Sequence, residues 1–539
     1  MIRAGFNYFR KVKPISERDL KNDFSSTNLQ RYGLLPGKRA VVAVPPLKDF
    51  YFTPHRFSSL GAISVQNILK SHGYDVDFIN FATEPPAGKT LKLPGSLNYL
   101  KDYLMEGETG KLSYFSSFKS YGPEILECAQ RITGSNPSLI FISCFAFCYA
   151  EDTIELVSAI KNINIDVLIV IGGAGASVYP RYFLQNGSVD YVLKGEAEVV
   201  LPSFLQAIEN GVALSGLKGV YSRWSTSPVR SRISSSEELS FLLSQVQTRK
   251  GVTFYSTMLS RGCPLKCRFC SNHLTHGNAF RTVPLYLVED GFRSIASEGK
   301  RSVRINFEDD NLLWDLPYFR SVLELVRKYL PEASLFAENG IDYRLITPEL
   351  LNEMLQAGFS QFNFSLASTE ESVLSRESRS HNRLRYEVIV NELAQKGIPV
   401  ITYFICGFKD DTVESVARTL RYLKGVPTLT GISLFYPVPG LPDFADPSLF
   451  DSHSPRLCCG SSAYPWNGSL STSTLITAFR ISRYINLIKS QFKSEDEEKL
   501  LKRIEEERKL YTFLKIDGVL TIVEAKGQDI ELVKAVLGS

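Results

Sequence analysis

Three thiols set the terms for this chain. Cys263, Cys267 and Cys270 stand at C-x3-C-x2-C spacing within Cys263-Pro264-Leu265-Lys266-Cys267-Arg268-Phe269-Cys270. The apolar run from Phe254 to Leu259 reads as a strand, and Arg261-Gly262 ends it, so the thiols lie on a loop at a strand end. Thiolates are soft ligands that select iron–sulfur iron or zinc. A structural zinc site closes with four ligands. Three thiols hold a cubane cluster with one iron left open to an outside molecule. The alternative is zinc with His273 or His276 as the fourth ligand.

The rest of the composition narrows the class. The 539 residues suffice for two or three domains. A net charge of +4 with no long basic run argues against nucleic acid as the main partner. No apolar run reaches the ~18–20 residues that span a bilayer, and Met1 to Lys13 lacks a signal-peptide core. Nine cysteines in so long a chain do not make a disulfide scaffold. A cytoplasmic, reducing location is expected.

Before the thiols the pattern alternates strand and helix. Residues 1–37 show no clear period and read as a strap. Within 38–210, strands are expected at Ala40 to Val44, Val76 to Ile79, Leu139 to Ser143, Asp166 to Ile171 and Tyr191 to Leu193. Helices fall at Leu60 to Ser71, Ala150 to Asn162 and Val199 to Asn210, and residues 82–122 read as an insertion. This is an α/β, Rossmann-like parallel sheet, which binds ligands at its strand carboxyl ends. Gly172-Gly173 lies at one such end, where glycine lets a bulky ligand approach the backbone. Residues 211–250, rich in Ser and Arg, read as a linker.

A second alternation fills 251–440. Strands at Phe254 to Leu259, Val303 to Phe307, Leu335 to Glu338, Phe362 to Leu366, Val400 to Cys406 and Gly431 to Tyr436 are separated by helices. Six such units make a partial (β/α)6 barrel with its site at the strand carboxyl ends. Residues 441–539 form a mostly helical tail, with Thr472 to Phe492 amphipathic and a hairpin expected around Asp517-Gly518.

The cysteine run and the barrel pattern together resemble the radical S-adenosylmethionine (radical SAM) superfamily. In that superfamily the open iron of a [4Fe–4S] cluster is chelated by S-adenosylmethionine, which is cleaved by one electron to a 5′-deoxyadenosyl radical. The resemblance implies Cys263, Cys267 and Cys270 as cluster ligands. It places Phe269 at the family's aromatic position beside S-adenosylmethionine. Asp310, or Asp309 in its stead, takes the acidic position that binds the ammonium group. Ser365 and Ser368 fall where relatives hold the carboxylate or ribose, although Ala367 stands where many have glutamate. Ile405 and Gly407 match the segment that packs on adenine, and Thr412 reads as a helix N-cap.

Ile169 to Pro180 and Asp190 to Glu196 resemble the cobalamin-binding domain that precedes many radical SAM barrels. Pro45, Ser143, Gly172, Gly173, Gly195 and Glu196 are the implied cobalamin contacts. No D-x-H-x-x-G motif is present, so cobalamin without a protein histidine on cobalt is implied; the alternative is a degenerate domain kept as scaffold. The resemblance further implies an external electron donor of flavodoxin or ferredoxin type and a small-molecule substrate. Methyl transfer to an unactivated carbon is the leading expectation, with cyclisation, ring contraction or rearrangement as the second and a non-enzymatic cobalamin carrier as the third. No catalytic residue is singled out. Cys458 and Cys459 read as packed thiols, or as one substrate-side group.

Overall fold

The computed structural model describes residues 37–104, 114–223 except 116, 213 and 215, 239–507 except 301 and 492, 511–516, 519–524 and 527–537. The expected strap, apart from residue 37, lies outside the described residues.

The first sheet comprises β1 (Arg39–Val44), β2 (Asp75–Asn80), β3 (Leu139–Ser143), β4 (Leu168–Gly172), β5 (Tyr191–Leu193) and β6 (Val220–Ser222), in the order β2-β1-β3-β4-β5-β6. β1 to β5 are parallel, and β6 adds antiparallel to β5. β1, β3 and β4 are apolar apart from Arg39 and Ser143 at strand ends, because both faces are covered. Val41, Ile140 and Ile169 pack toward the helices Ile125–Gly134 and Ala150–Ile163. Val42, Phe141 and Val170 pack toward Leu60–Ser71 and Ala197–Glu209. The strand order reverses between β1 and β3, which is where open sheets of this kind open a ligand crevice. The insertion supplies Ala87–Leu91 and Phe118–Tyr121; the latter pairs antiparallel with both Ala87–Leu91 and Leu47–Asp49 in a small sheet.

The second sheet is β7 (Leu242–Arg249), β8 (Val252–Met258), β9 (Ser302–Phe307), β10 (Ser334–Phe336), β11 (Phe362–Ala367), β12 (Val400–Cys406) and β13 (Leu429–Leu434). β8 to β13 are the six parallel barrel strands. Between β10 and β11 the ladder thins to single bridges, Leu335 with Phe359 and Ile341 with Phe364. Helices Leu285–Ser297, Leu316–Tyr329, Pro348–Gln356, Arg383–Gln395 and Val413–Gly425 cover the outside. The Thr412 hydroxyl accepts from Ser415 N at 3.2 Å, the expected cap.

The linker expected over 211–250 is corrected at both ends. β6 lies within it, and β7 extends the barrel sheet antiparallel to β8. Both are half-exposed edge strands with polar residues at alternate positions, which read as linker when no partner strand is known.

In the tail, helix Thr472–Lys489 packs on β13, where Thr430 N donates to Asn486 Oδ1 at 2.7 Å. Residues 442–462 run as short 3-10 turns back to the first domain. Strands Tyr511–Ile516 and Val519–Glu524 form the expected hairpin, whose residues 517–518 lie outside the described set. A final helix, Gln528–Leu537, buries Leu532, Val533 and Val536 against the barrel core.

Candidate functional site

The cysteine loop leaves β8 through a turn only glycine fits. Gly262 has φ +83°, and a Cβ there would lie 2.1 Å from the Ala279 carbonyl oxygen. Arg261 and Arg281 then pair as a short antiparallel ladder that closes the loop's base. Within the loop, Cys270 N donates to the Cys267 carbonyl at 3.1 Å. Burial pushes the Cys263 thiol up and Cys270 up to about 11, and both feel the Cys267 thiol. Such thiols surrender their protons to a metal rather than to water.

Two side chains aim N–H groups at the sulfurs. Asn311 Nδ2 is 3.7 Å from Cys263 Sγ, and Arg379 Nη1 is 3.8 Å from Cys267 Sγ. Arg379 is steadied by Nη2 donating to the Ser365 carbonyl at 2.9 Å, while its buried Nε has no partner among the described residues. Donors of this kind suit thiolates bound to metal. Of the zinc alternative's candidate fourth ligands, His276 is engaged, its Nδ1 2.8 Å from Asp310 Oδ2.

The two aspartates after β9 both brace the base of the cysteine loop. Asp309 is buried and accepts from Leu259 N at 3.2 Å and Ser260 Oγ at 2.5 Å, and burial lifts its carboxyl to about 7. Asp310 accepts from Gly262 N at 2.7 Å and Asn272 Nδ2 at 2.8 Å besides meeting His276. Those contacts hold Asp310 below the usual carboxylate range despite its burial. Their neighbour Glu308 instead faces the first domain, accepting from Ser58 Oγ at 2.8 Å. Glu338, after β10, pairs with Arg56 of the short 3-10 turn Pro54–Arg56 in the first domain.

Ser368 is likewise spent locally: it is buried, and its hydroxyl accepts from Glu370 N at 3.2 Å. Ser365 packs its hydroxyl against Gly340, and its carbonyl holds Arg379. Ala367 has φ +67° beside a bulge in the β11–β12 ladder, strained backbone at the strand end. The Phe269 ring lies 5.5 Å from that of Phe408, tilted at 52°, so the aromatic position meets the residue next to Gly407. Ile405 is the penultimate residue of β12.

On the first sheet, Pro45, Ser143, Gly172 and Gly195 sit at or just past the carboxyl ends of β1, β3, β4 and β5. Nothing comes closer than 4.0 Å to a Cβ built on Gly172, so the space before it is open. Gly173 has φ +100°, and its Cβ would lie 2.6 Å from the Cys144 carbonyl oxygen, locking the β3 and β4 loops together. Gly195 N donates to Ser177 Oγ at 3.0 Å. Both carboxylate oxygens of Glu196 accept from Arg281, each at 2.7 Å, which ties the loop after β5 to the base of the cysteine loop. Glu198 holds Arg261 in the same manner at 2.8 and 2.9 Å.

The two strand-end faces are therefore joined through the cysteine loop itself. The Radical SAM superfamily model matches residues 257–423, and the B12 binding domain model matches 96–205. Over those residues the chain carries a radical SAM domain preceded by a B12-binding domain. The bacteriochlorophyllide d C-12(1)-methyltransferase of Chlorobaculum tepidum is 28% identical over 52% of this chain and 59% of its own length. An uncharacterized methyltransferase of Pyrococcus horikoshii is 24% identical over 51% and 61%. The chain thus spans about three-fifths of these relatives. In fold it is similar to the radical SAM methyltransferase TsrM of Kitasatospora setae, whose structure holds tryptophan and a S-adenosylmethionine analogue (TM-score 0.56, 16% identity, 75% of each chain). It is also similar to the cobalamin-dependent enzyme OxsB (TM-score 0.53, 12% identity, 93% of this chain and 66% of that one).

The two domain models point to three groups: a [4Fe–4S] cluster, S-adenosylmethionine and cobalamin. The thiols with their N–H donors fit the first, and the open space at Gly172 fits the last. Among the described residues no helix is long and apolar enough to cross a membrane.

Proposed function

We propose that the protein is a cytoplasmic methyltransferase acting on an unactivated carbon of a small molecule, with electrons from a flavodoxin- or ferredoxin-type donor. The observation that carries this reading is the Glu196–Arg281 and Glu198–Arg261 clasp, which turns the carboxyl ends of the B12-domain sheet onto the loop of Cys263, Cys267 and Cys270. When bound, the cluster supplies the electron that cleaves S-adenosylmethionine and the corrinoid supplies the methyl group.

The chain's own residues divide the remaining work. Cys263, Cys267 and Cys270 hold the cluster, with Asn311 and Arg379 donating to two of the sulfurs. Phe269, Ile405, Gly407 and Phe408 form the adenine side. Glu308, left by Asp309 and Asp310 as the carboxylate at the β9 end, takes the ammonium end, and Ser365 lies on the carboxylate side. Pro45, Ser143, Gly172, Gly173 and Gly195 shape the corrinoid crevice. Reacting atoms must approach to about 3–3.5 Å, so a fixed distance between the two faces is a requirement of the chemistry.

Anaerobic reconstitution tests the reading. The wild-type protein should bind about four irons, and replacing the three cysteines by Ala should remove them. With a methyl-labelled S-adenosylmethionine and candidate small molecules, methyl transfer gives labelled product with S-adenosylhomocysteine and 5′-deoxyadenosine. Product without label or S-adenosylhomocysteine would transfer the assignment to cyclisation or rearrangement.

A further inference from the structure

Along β8 to β13 the side chains alternate between a face packed on the outer helices and a face turned to the barrel interior. Val303, Ile305, Leu335, Phe362 and Val400 take the first face, and all are buried in the main core. Phe254, Arg304, Gln361, Ile401 and Leu429 take the second, at the amino ends of their strands. Solvent reaches each of these five, and Leu429 is 40% exposed. One step up the same face, Ser256, Asn306, Phe336 and Asn363 are buried. Tyr403 joins that layer: its hydroxyl accepts from Asn363 Nδ2 at 2.6 Å, and a Cβ on Gly431 would lie 2.4 Å from its ring. The barrel floor is thus an open recess, with packed side chains between it and the mouth that carries the cysteine loop.

Arg304 brings a charge into this recess. Its guanidinium carbon lies 5.3 Å from the centre of the Phe254 ring on β8 and 4.7 Å from that of Phe336 on β10. Strand register sets the sandwich: Phe254 pairs with Arg304 itself, and Phe336 pairs with Asn306, two residues further along β9. Attraction between the cation and the ring faces holds it there. Arg304 makes no hydrogen bond or ion pair among the described residues, and its Nε is buried without a partner. The buried arginines Arg261, Arg281 and Arg456 all meet carboxylates. With a ring beside each face, the guanidinium has its N–H edge left to meet a partner.

We propose that the barrel floor is an oxyanion-binding site, with Arg304 as its cation, for a carboxylate or phosphate on a small molecule other than the methyl acceptor. The edge of a guanidinium matches two oxygens of either group at once, with charge-assisted hydrogen bonds. A neutral acceptor would leave the half-buried charge uncompensated, and a second cation would be repelled. The neighbouring Gln361 is engaged, its Nε2 donating to Asn363 Oδ1 at 2.8 Å, so Arg304 is the group that a ligand addresses. Ile401 and Leu429 offer the body of that ligand an apolar wall. The site stands apart from methyl transfer, because it lies at the opposite strand ends from the three cysteines.

Calorimetric titration of the anaerobically reconstituted full-length protein with benzoate and with inorganic phosphate tests this, with benzamide as the uncharged control. At least one anion should bind at a single site, and Arg304→Met should weaken it by at least about tenfold, through loss of the charge-assisted pair. Tighter benzoate names an organic carboxylate as the ligand, and tighter phosphate names a phosphate group. Binding of neither anion, equal binding by Arg304→Met, or benzamide bound as well as benzoate would overturn the proposal. A second measurement needs no variant, and so stands even if Arg304→Met fails to fold. Diacetyl in borate adds its two carbonyl carbons to two guanidinium nitrogens, with nothing oxidised and no group leaving. It should label Arg304 in the folded protein, read by peptide mass spectrometry. The tighter anion should slow that labelling and leave the surface residue Arg383 unaffected. Labelling of Arg304 only after unfolding in urea would overturn the open floor and the proposal with it. No turnover is involved, so failure of methyl transfer leaves the floor site untouched, and an empty floor leaves methyl transfer standing.

Discussion

Arg281 donates one terminal nitrogen to each carboxylate oxygen of Glu196, at 2.7 Å, with both side chains nearly inaccessible to solvent. The pair joins the loop after β5 of the B12-binding domain to the strand that closes the cysteine loop. Arg261, the ladder partner of Arg281, is held beside it by Glu198, whose own carboxyl is drawn down to about 2 chiefly by that arginine, against the effect of burial. A bidentate pair fixes orientation as well as distance.

Removing one partner of such a pair strands the other charge. Glu196→Ala should therefore lower stability by about 3–5 kcal/mol, while the double change Glu196→Leu with Arg281→Met should recover most of it. Urea unfolding of the three proteins measures the difference. If the single and double changes are equally mild, the clasp contributes no more than a surface pair.

Asn311 and Arg379 bear on the cluster's potential. Hydrogen bonds to ligand sulfur favour the reduced, more negative state, and a bond to a charged acceptor is worth about 1.5–3 kcal/mol. Asn311→Ala and Arg379→Ala should each shift the potential downward by on the order of 50 mV, taking 59 mV per tenfold for one electron. Spectroelectrochemical titration of the reconstituted proteins reads the shift. An unchanged potential in both variants would show that these N–H groups do not reach the cluster sulfurs.

How far these features could be read beforehand depends on the range of the contact. Helix Leu60–Ser71 and strands Leu139–Ser143 and Val400–Cys406 fall where the apolar pattern puts them, because burial on both faces leaves a local signature. β6 and β7 were hidden in an apparent linker because an edge strand needs only one neighbour and keeps polar residues. Asp309 and Asp310 were legible as a functional pair but not as braces. Their partners, Leu259, Gly262 and His276, are known only once β8 and β9 are side by side. Glu196 and Arg281 are 85 residues apart, and no local pattern marks them as partners. Arg379 lies outside every motif and gains its meaning from the approach to Cys267.

Asp309 should make stability fall with rising pH. Its carboxyl is lifted to about 7 in the folded protein, by burial above all, from an ordinary 3.8. Between these values the folded state binds more protons than the unfolded state, so unfolding gains ground as pH rises. At 1.36 kcal/mol per unit the contribution is at most about 4 kcal/mol, complete above pH 7 and absent below about pH 4. Asp309→Asn keeps an oxygen for Leu259 N and Ser260 Oγ and removes the titration. Urea unfolding of the metal-free protein at pH 5.5, 7 and 8.5 should show a shallower decline in the variant. Parallel profiles would mean that Asp309 is ionised in the fold.

The two adjacent glycines after β4 separate a packing requirement from a ligand requirement. At Gly173, φ of +100° belongs to a region that side chains avoid, and a Cβ would meet the Cys144 carbonyl oxygen at 2.6 Å, where neither backbone can yield cheaply. Gly173→Ala should cost roughly 1–3 kcal/mol of stability and displace the β3 loop that carries Ser143. Gly172 has an ordinary φ and open space before it, so Gly172→Ala should unfold in urea like the wild type. Where a corrinoid lies against the β4 end, that same methyl group occupies its place, and cobalamin retained on gel filtration should fall by about tenfold or more for loss of about 1.4 kcal/mol of contact. Thus Gly173→Ala should lose stability and cobalamin together, and Gly172→Ala should lose cobalamin alone. Full retention in Gly172→Ala would move the corrinoid off β4, toward the reversal between β1 and β3 at Pro45 and Ser143.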